Sequence, residues 1–162
     1  MGMPFDVFVK EPDDLPSFSF KVSLAFLSAI GGVLTIAEIV CGIVTFALAY
    51  SGRSYYYELS HLVVKVEPSQ DVTFMIMVSF LYWFVSLLIL ASALLSNTGT
   101  HVTSTFFYLL FQAFGFVFYL CGGVSLVAIE KTQAVLIAAG IFAVLSALLH
   151  GCHSLLTYRR KE

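Results

Sequence analysis

Four long apolar runs occupy most of the chain. The first, from Val22 to Tyr50, is broken by a single charge, Glu38. The second, Phe74 to Ser96, carries no charge. The third, Ser104 to Ile129, has Gln112 as its most polar member, and the fourth, Ala134 to Tyr158, contains His150 and His153. Each exceeds the roughly 20 residues that a helix rising 1.5 Å per residue needs to cross about 30 Å of hydrocarbon. The runs are apolar on all sides rather than alternating, which argues against a β-barrel. The connections 97–103 and 130–133 are so short that the helices they join must be antiparallel neighbours. The pattern therefore predicts an all-α membrane protein, an antiparallel up-down four-helix transmembrane bundle. Its parts are a tail over 1–21, a four-span domain over 22–158 and a basic tail over 159–162.

The connection 51–73 is longer. Tyr55, Tyr56 and Tyr57 suit the headgroup layer, where amphipathic rings settle, and Leu62 to Val66 suits a short extended piece before Pro68. Orientation follows from Lys and Arg. The side of the two tails holds Lys10, Lys21, Arg159, Arg160 and Lys161, against Arg53, Lys65 and Lys131 on the other. Both termini are expected in the cytoplasm, with Arg159, Arg160 and Lys161 forming a basic cluster at the membrane surface that meets anionic lipid. The acidic start, with Asp6, Glu11, Asp13 and Asp14, does not read as a cleaved signal.

Composition narrows the class further. Of 162 residues, 59% are hydrophobic and only 11% charged, too few to coat a soluble globule. A net charge of -2 leaves no basic stripe for nucleic acid. The expected partners are the lipid bilayer and other transmembrane proteins, or a second copy, with neither nucleic acid nor a soluble substrate. Cys41, Cys121 and Cys152 all fall inside spans, so no loop disulfide is expected. That sets the chain apart from claudins, tetraspanins and connexins.

Ionisable groups within spans are functional candidates. Counting from the flanking basic residues places Glu38 near the midplane, and His150 and Gln112 at a common depth about 6–8 Å toward the tails. Glu38, Gln112 and His150 thus form a candidate intramembrane polar cluster, with Glu38 one to two turns higher. It is read either as a proton or ion site or as a structural group hydrogen-bonded across helices. A relay needs several acids or a basic partner in series, and one acid, one Gln and a His pair near the exit favour the structural or lipid-contact reading; His153 is expected to snorkel toward the headgroups. In span four, Ala139, Ala143, Ala147 and Gly151 recur every four residues, a small-residue stripe for close helix packing, and Ser146, His150 and Ser154 form a polar stripe beside it. No nucleophile elbow, phosphate loop or metal helix is present, and the four His residues fall on both sides of the membrane. An enzyme is not expected, and no catalytic residue, cofactor or metal is assigned.

Three stretches carry a family likeness. Span one reads Gly31-Gly32 followed by Ile36-Ala37-Glu38-Ile39 and Gly42. Span two holds the aromatic cluster Phe80, Tyr82, Trp83 and Phe84. Span four is rich in small residues, with a His near its end and a basic stop. In these features the chain resembles the MARVEL-domain proteins, most nearly the MAL/plasmolipin and chemokine-like-factor (CMTM) branch, over residues 20–160. The resemblance implies a four-span protein of vesicle trafficking, sterol-rich membrane domains and membrane apposition, at the plasma membrane or on endosomal or Golgi vesicles, without catalytic residues. The alternative is a small proton- or ion-coupled transporter or channel subunit using Glu38, Gln112 and His150.

Overall fold

A computed structural model describes residues 29–53, 55–59, 62–66, 69–95, 102–129 and 133–159. Four helices dominate it: α1 (Ile30–Gly52), α2 (Gln70–Leu95), α3 (Phe106–Ile129) and α4 (Ala134–Arg159). All four are long and apolar enough to cross a membrane. Between α1 and α2 lies a small antiparallel hairpin, β1 (Tyr55–Leu59) paired with β2 (Leu62–Val66), with Tyr55 opposite Val66 and Leu59 opposite Leu62. The N-terminal tail lies outside the described residues, as do Arg160 and Lys161 of the basic cluster; Arg159 closes α4.

The helix ends differ from those read off the apolar runs. Ala29 has extended backbone, φ -75° and ψ 146°, so α1 starts at Ile30, and residues 22–28 of the first apolar run lie outside the described residues. Gly31 and Gly32, weak helix formers, follow at once, and no side chain caps the start. α2 begins a full turn before Phe74 because Ser69 caps it. The Ser69 hydroxyl accepts from the Val72 N–H at 3.4 Å, and its carbonyl accepts from the Thr73 N–H at 3.1 Å. Asp71 then sits in the first turn, where the helix dipole favours an acid, and accepts a 2.6 Å hydrogen bond from Ser125 on α3. Thr105 similarly heads α3, accepting from the Tyr108 N–H at 3.2 Å.

Contacts that climb one helix descend the next. Gly52 of α1 meets Leu136 of α4 near one end of the bundle and Gly31 meets His153 near the other; Gly42 meets Trp83 of α2; Met75 of α2 meets Gly122 of α3. The ring order is α1, α2, α3, α4, closed by α4 on α1. α3 and α4 come closest. A Cβ placed on Gly123 would lie 2.9 Å from the Gly140 carbonyl oxygen and 3.0 Å from Ala143 Cβ, so the two backbones touch where side chains would otherwise hold them apart. The stripe Ala139, Ala143 and Ala147 is wholly buried, and Gly151 lies against Phe116, so these small residues pack the inside of the bundle.

These approaches sort the glycines. Gly123→Ala pushes backbone against backbone and is expected to destabilise by about 1–3 kcal/mol, the usual cost of overpacking. Gly31→Ala, whose new methyl would lie 3.8 Å from His153 Nε2 in ordinary contact, is expected to leave stability unchanged or slightly raised. Unfolding of the two variants in mixed detergent micelles checks the contrast.

Candidate functional site: a buried polar cluster in the bundle

The interior faces of the helices carry small and polar residues among buried apolar ones such as Met75, Leu126 and Leu136, and the outer faces are large and apolar. On α1 the buried positions are Gly32, Thr35, Glu38, Ile39, Gly42, Thr45, Ala49 and Gly52. On α3, Tyr108, Gln112, Gly115, Tyr119, Gly122 and Leu126 follow each other at alternating steps of four and three. On α4 the inward line ends in Ser146, Ala147, His150 and His153. Such steps keep residues on one face of a helix. The three faces converge on one cluster.

At its centre Glu38 is 1% exposed and accepts two hydrogen bonds. Its Oε1 accepts from His153 Nδ1 at 2.8 Å, and its Oε2 accepts from Gln112 Nε2 at 3.2 Å. Gln112 Nε2 also donates to the Tyr108 hydroxyl at 2.9 Å. The Tyr108 hydroxyl stands 3.2 Å from His153 Nε2. His150 Nδ1 is hydrogen-bonded to Gln112 Oε1 and lies 3.7 Å from Glu38 Oε1. One assignment of protons satisfies these contacts together. Both rings carry a proton on Nδ1, Gln112 spends its two N–H groups on Glu38 and Tyr108, and the Tyr108 O–H donates to His153 Nε2. A buried network with every member partnered is stabilising, whereas a half-satisfied one costs more than an apolar core.

The rings fix the geometry. His150 stacks on Tyr119 at 5.4 Å and 16° and meets the Tyr82 ring edge-on at 5.3 Å and 70°. His153 meets Tyr108 edge-on at 5.4 Å and 77°. Gly115 makes room for this packing: a Cβ there would lie 2.8 Å from Tyr82 Cε1 and 3.0 Å from His150 Cγ. The structure thus brings Glu38, Gln112 and His150 together and adds two members that the sequence reading left out, Tyr108 and His153. His153 does not snorkel. It is 5% exposed and bonded to Glu38, because three residues after His150 it falls on the same inward face. Ser154, placed above in the polar stripe with His150, is instead half-buried at the edge of that face.

Chemically, the cluster holds a carboxylate and two imidazoles in one hydrogen-bonded series, an arrangement suited to holding or moving a proton. Among the described residues no group of three His, Cys, Asp or Glu side chains has the geometry to hold a metal ion. His61 and His101 lie outside the described residues. On the outer surface, between α2 and α3, an open groove of about 310 Å³ is lined by Tyr82, Phe107, Leu110, Phe111, Phe114 and Phe118. Its lining is almost wholly apolar. Arg159 stands at the end of α4, about six residues or 9 Å along the helix from His153.

Removing Glu38 leaves His153 and Gln112 donors buried without an acceptor. Glu38→Ala is expected to cost about 3 kcal/mol, and Glu38→Gln, which keeps one acceptor oxygen, about 1 kcal/mol. Combining Glu38→Ala with His153→Ala costs less than the sum of the two, and a double-mutant cycle of unfolding free energies reads the coupling.

No family model matches this chain, and neither a curated protein nor a solved structure matches it, so the functional reading rests on the chain's own residues.

Proposed function

We infer that the four apolar helices make this a multi-pass membrane protein whose surroundings are lipid. Within that class, we propose a non-enzymatic organiser of membrane domains, of MARVEL type, acting in vesicle trafficking or membrane apposition through contacts of its flanks with lipid and with other transmembrane helices. The observation that carries the reading is the division between inside and outside. The polar groups of the cluster are turned inward and bonded to one another, while Phe106, Phe107, Phe114 and Phe118 stand out from one helix, Phe107 at 69% exposure. Large rings held outward offer far more contact area than a lipid-solvated surface requires, as on surfaces that bind partners. Basic residues at the end of α4 support cytoplasmic tails, and the setting proposed is the plasma membrane or endosomal or Golgi vesicles, with sterol-rich domains among the lipid partners.

The flank is tested at the rings and not at the alanine stripe. Ala143 and Ala147 are wholly buried, so enlarging them breaks the bundle itself. Phe114→Ala with Phe118→Ala, on the outer face, is expected to leave unfolding within about 1 kcal/mol of the parent, as surface substitutions do. The same double substitution removes most of the lipid or protein that co-purifies in mild detergent and disperses the protein from its membrane domains. Unchanged co-purification and localisation in a folded variant would sink this reading.

A second reading, a small proton- or ion-coupled transporter or channel subunit, is favoured by one observation, the series of Glu38, His153, Tyr108, Gln112 and His150 in hydrogen-bond contact. It expects proton-driven flux in liposomes containing only this protein, abolished by Glu38→Gln. Liposomes as tight as protein-free controls rule it out.

A further inference from the structure

The hairpin between α1 and α2 has two unlike faces. Successive positions of a strand fall on opposite faces of the ladder, and directly paired positions share a face. The register therefore puts Tyr55, Tyr57 and Leu59 on one face together with their partners Val66, Val64 and Leu62. Tyr56, Glu58, Val63 and Lys65 take the other. One face is wholly apolar or aromatic, and both charges of the strands lie on the opposite one. The three successive tyrosines are divided accordingly, two on the apolar face and one on the charged face.

A two-stranded hairpin is marginal in water by itself and needs its apolar face covered. The helices are not the cover: the strands pair closely with each other, and neither makes comparable contact with a helix. A second copy is a poor cover as well. Two five-residue strands give a face about 17 Å long and about 10 Å wide, on the order of 170 Å², against about 800 Å² per partner in a stable interface. The chain itself holds the hairpin at another surface. Two residues separate Gly52, the last of α1, from Tyr55, and three separate Val66 from Gln70, the first of α2. Those tethers reach at most about 10 Å and about 14 Å. Arg53, whose guanidinium lies 3.4 Å over the Tyr50 ring, and Asp71 in the first turn of α2 mark where the spans leave hydrocarbon. The hairpin is thereby kept beside the headgroup layer.

We propose that the hairpin lies flat on the bilayer, its apolar face against the boundary between phospholipid headgroups and acyl chains and its charged face toward water. Tethering at both ends removes most of the entropy loss that capturing a free partner carries, so a small face is enough. Tyrosine suits the place, because its ring is apolar and its hydroxyl finds partners among the headgroups. Glu58 and Lys65 cancel in charge, so the hold is apolar and independent of anionic lipid. The inference rests on the spans crossing a bilayer and goes beyond both functional readings, since it concerns the membrane surface and neither the flanks of the helices nor the buried cluster.

The test places single tryptophans in the full chain in phosphatidylcholine vesicles, after Trp83→Phe has removed the one native tryptophan. Tyr57→Trp and Val64→Trp report the apolar face, Tyr56→Trp the charged face, and Leu88→Trp, at an exposed position of α2, the spans. Bromine on the lipid acyl chains is expected to remove most of the emission at positions 57, 64 and 88, and acrylamide in the water most of that at 56. Adding phosphatidylglycerol is expected to change none of this. Equal quenching of both hairpin faces by acrylamide overturns the proposal. So does protection at 57 and 64 without bromine quenching, the mark of a face covered by helices, or protection that fades as the protein is diluted in lipid, the mark of a second copy. Bromine quenching that appears only with phosphatidylglycerol overturns it too. If Leu88→Trp also escapes the bromine, the membrane reading falls together with the proposal; if Leu88→Trp is quenched and the hairpin is not, the proposal falls alone. Should Trp83→Phe fail to fold, Val64→Cys and Lys65→Cys in the otherwise parent chain decide. A membrane-impermeant maleimide is expected to label position 65 and to leave the Val64→Cys protein at the parent level, and labelling of both overturns the proposal.

Discussion

Hydrocarbon supplies no water to a polar group, so a side chain too polar to be satisfied within its own helix, in the way the Thr35 and Thr45 hydroxyls are, looks to another span. The bundle is organised around that constraint. Glu38 on α1 is satisfied by Gln112 on α3 and His153 on α4, and those two are in turn satisfied by Tyr108 and His150. Apolar packing alone sets helix register weakly in a bilayer, since lipid tails are as apolar as Leu or Val. A hydrogen bond between Glu38 and His153 is register-specific. Sliding α4 by one turn against α1 moves the two groups about 5.4 Å apart and strands both. The small residues serve the same end, since Gly115 gives His150 and Tyr82 the space to reach their positions.

α2 stands outside this polar tie. It meets the cluster through the Tyr82 ring, which stacks on Phe111 at 4.7 Å and touches His150 edge-on. Its other holds are the close contact of Trp83 with Gly42, a long 3.5 Å hydrogen bond from the Tyr119 hydroxyl of α3 to the Ser79 carbonyl, and the Asp71–Ser125 hydrogen bond at the hairpin end. Three helices join their side chains in the polar cluster, and the fourth is held mainly by rings and by these two polar contacts with α3. The seam between α2 and α3 is also the thinnest between neighbouring helices, and there the aromatic groove opens. The groove and the cluster are two sides of one arrangement: Tyr82 and Phe111 line the groove outside and cover the His150 ring inside.

The four spans could be read from the sequence because hydrocarbon thickness fixes length and composition so tightly. Their ends could not, because a search for apolar runs is blind to capping. Ser69 and Asp71 carry an ordinary helix-start signal that lies outside the apolar stretch, and the extended Ala29 lies within one. The cluster was half legible. Depth along the helix axis brings Gln112 and His150 to one level, but depth alone assigns His153 to the headgroups. The angle around the helix decides otherwise: residues three and four apart share a face, so both His153 and Ser154 are candidates beside His150. Only the partners across the bundle choose between them. Tyr108, one turn before Gln112, is missed for a related reason, since a tyrosine at the start of a span resembles an interfacial anchor until Glu38 and His153 are seen to meet it.

A soluble bundle turns its apolar side chains inward because water drives them there. In a bilayer that drive between helices is absent, and polar groups take interior places: Thr35, Glu38, Gln112, Ser146 and His150 go inside, while Phe106, Phe107, Phe114 and Phe118 of α3 go out. That placement has a functional corollary. When polar groups are spent on one another inside the bundle, recognition of other molecules falls to the outer surface, whose information lies in the shape and placement of rings rather than in charge.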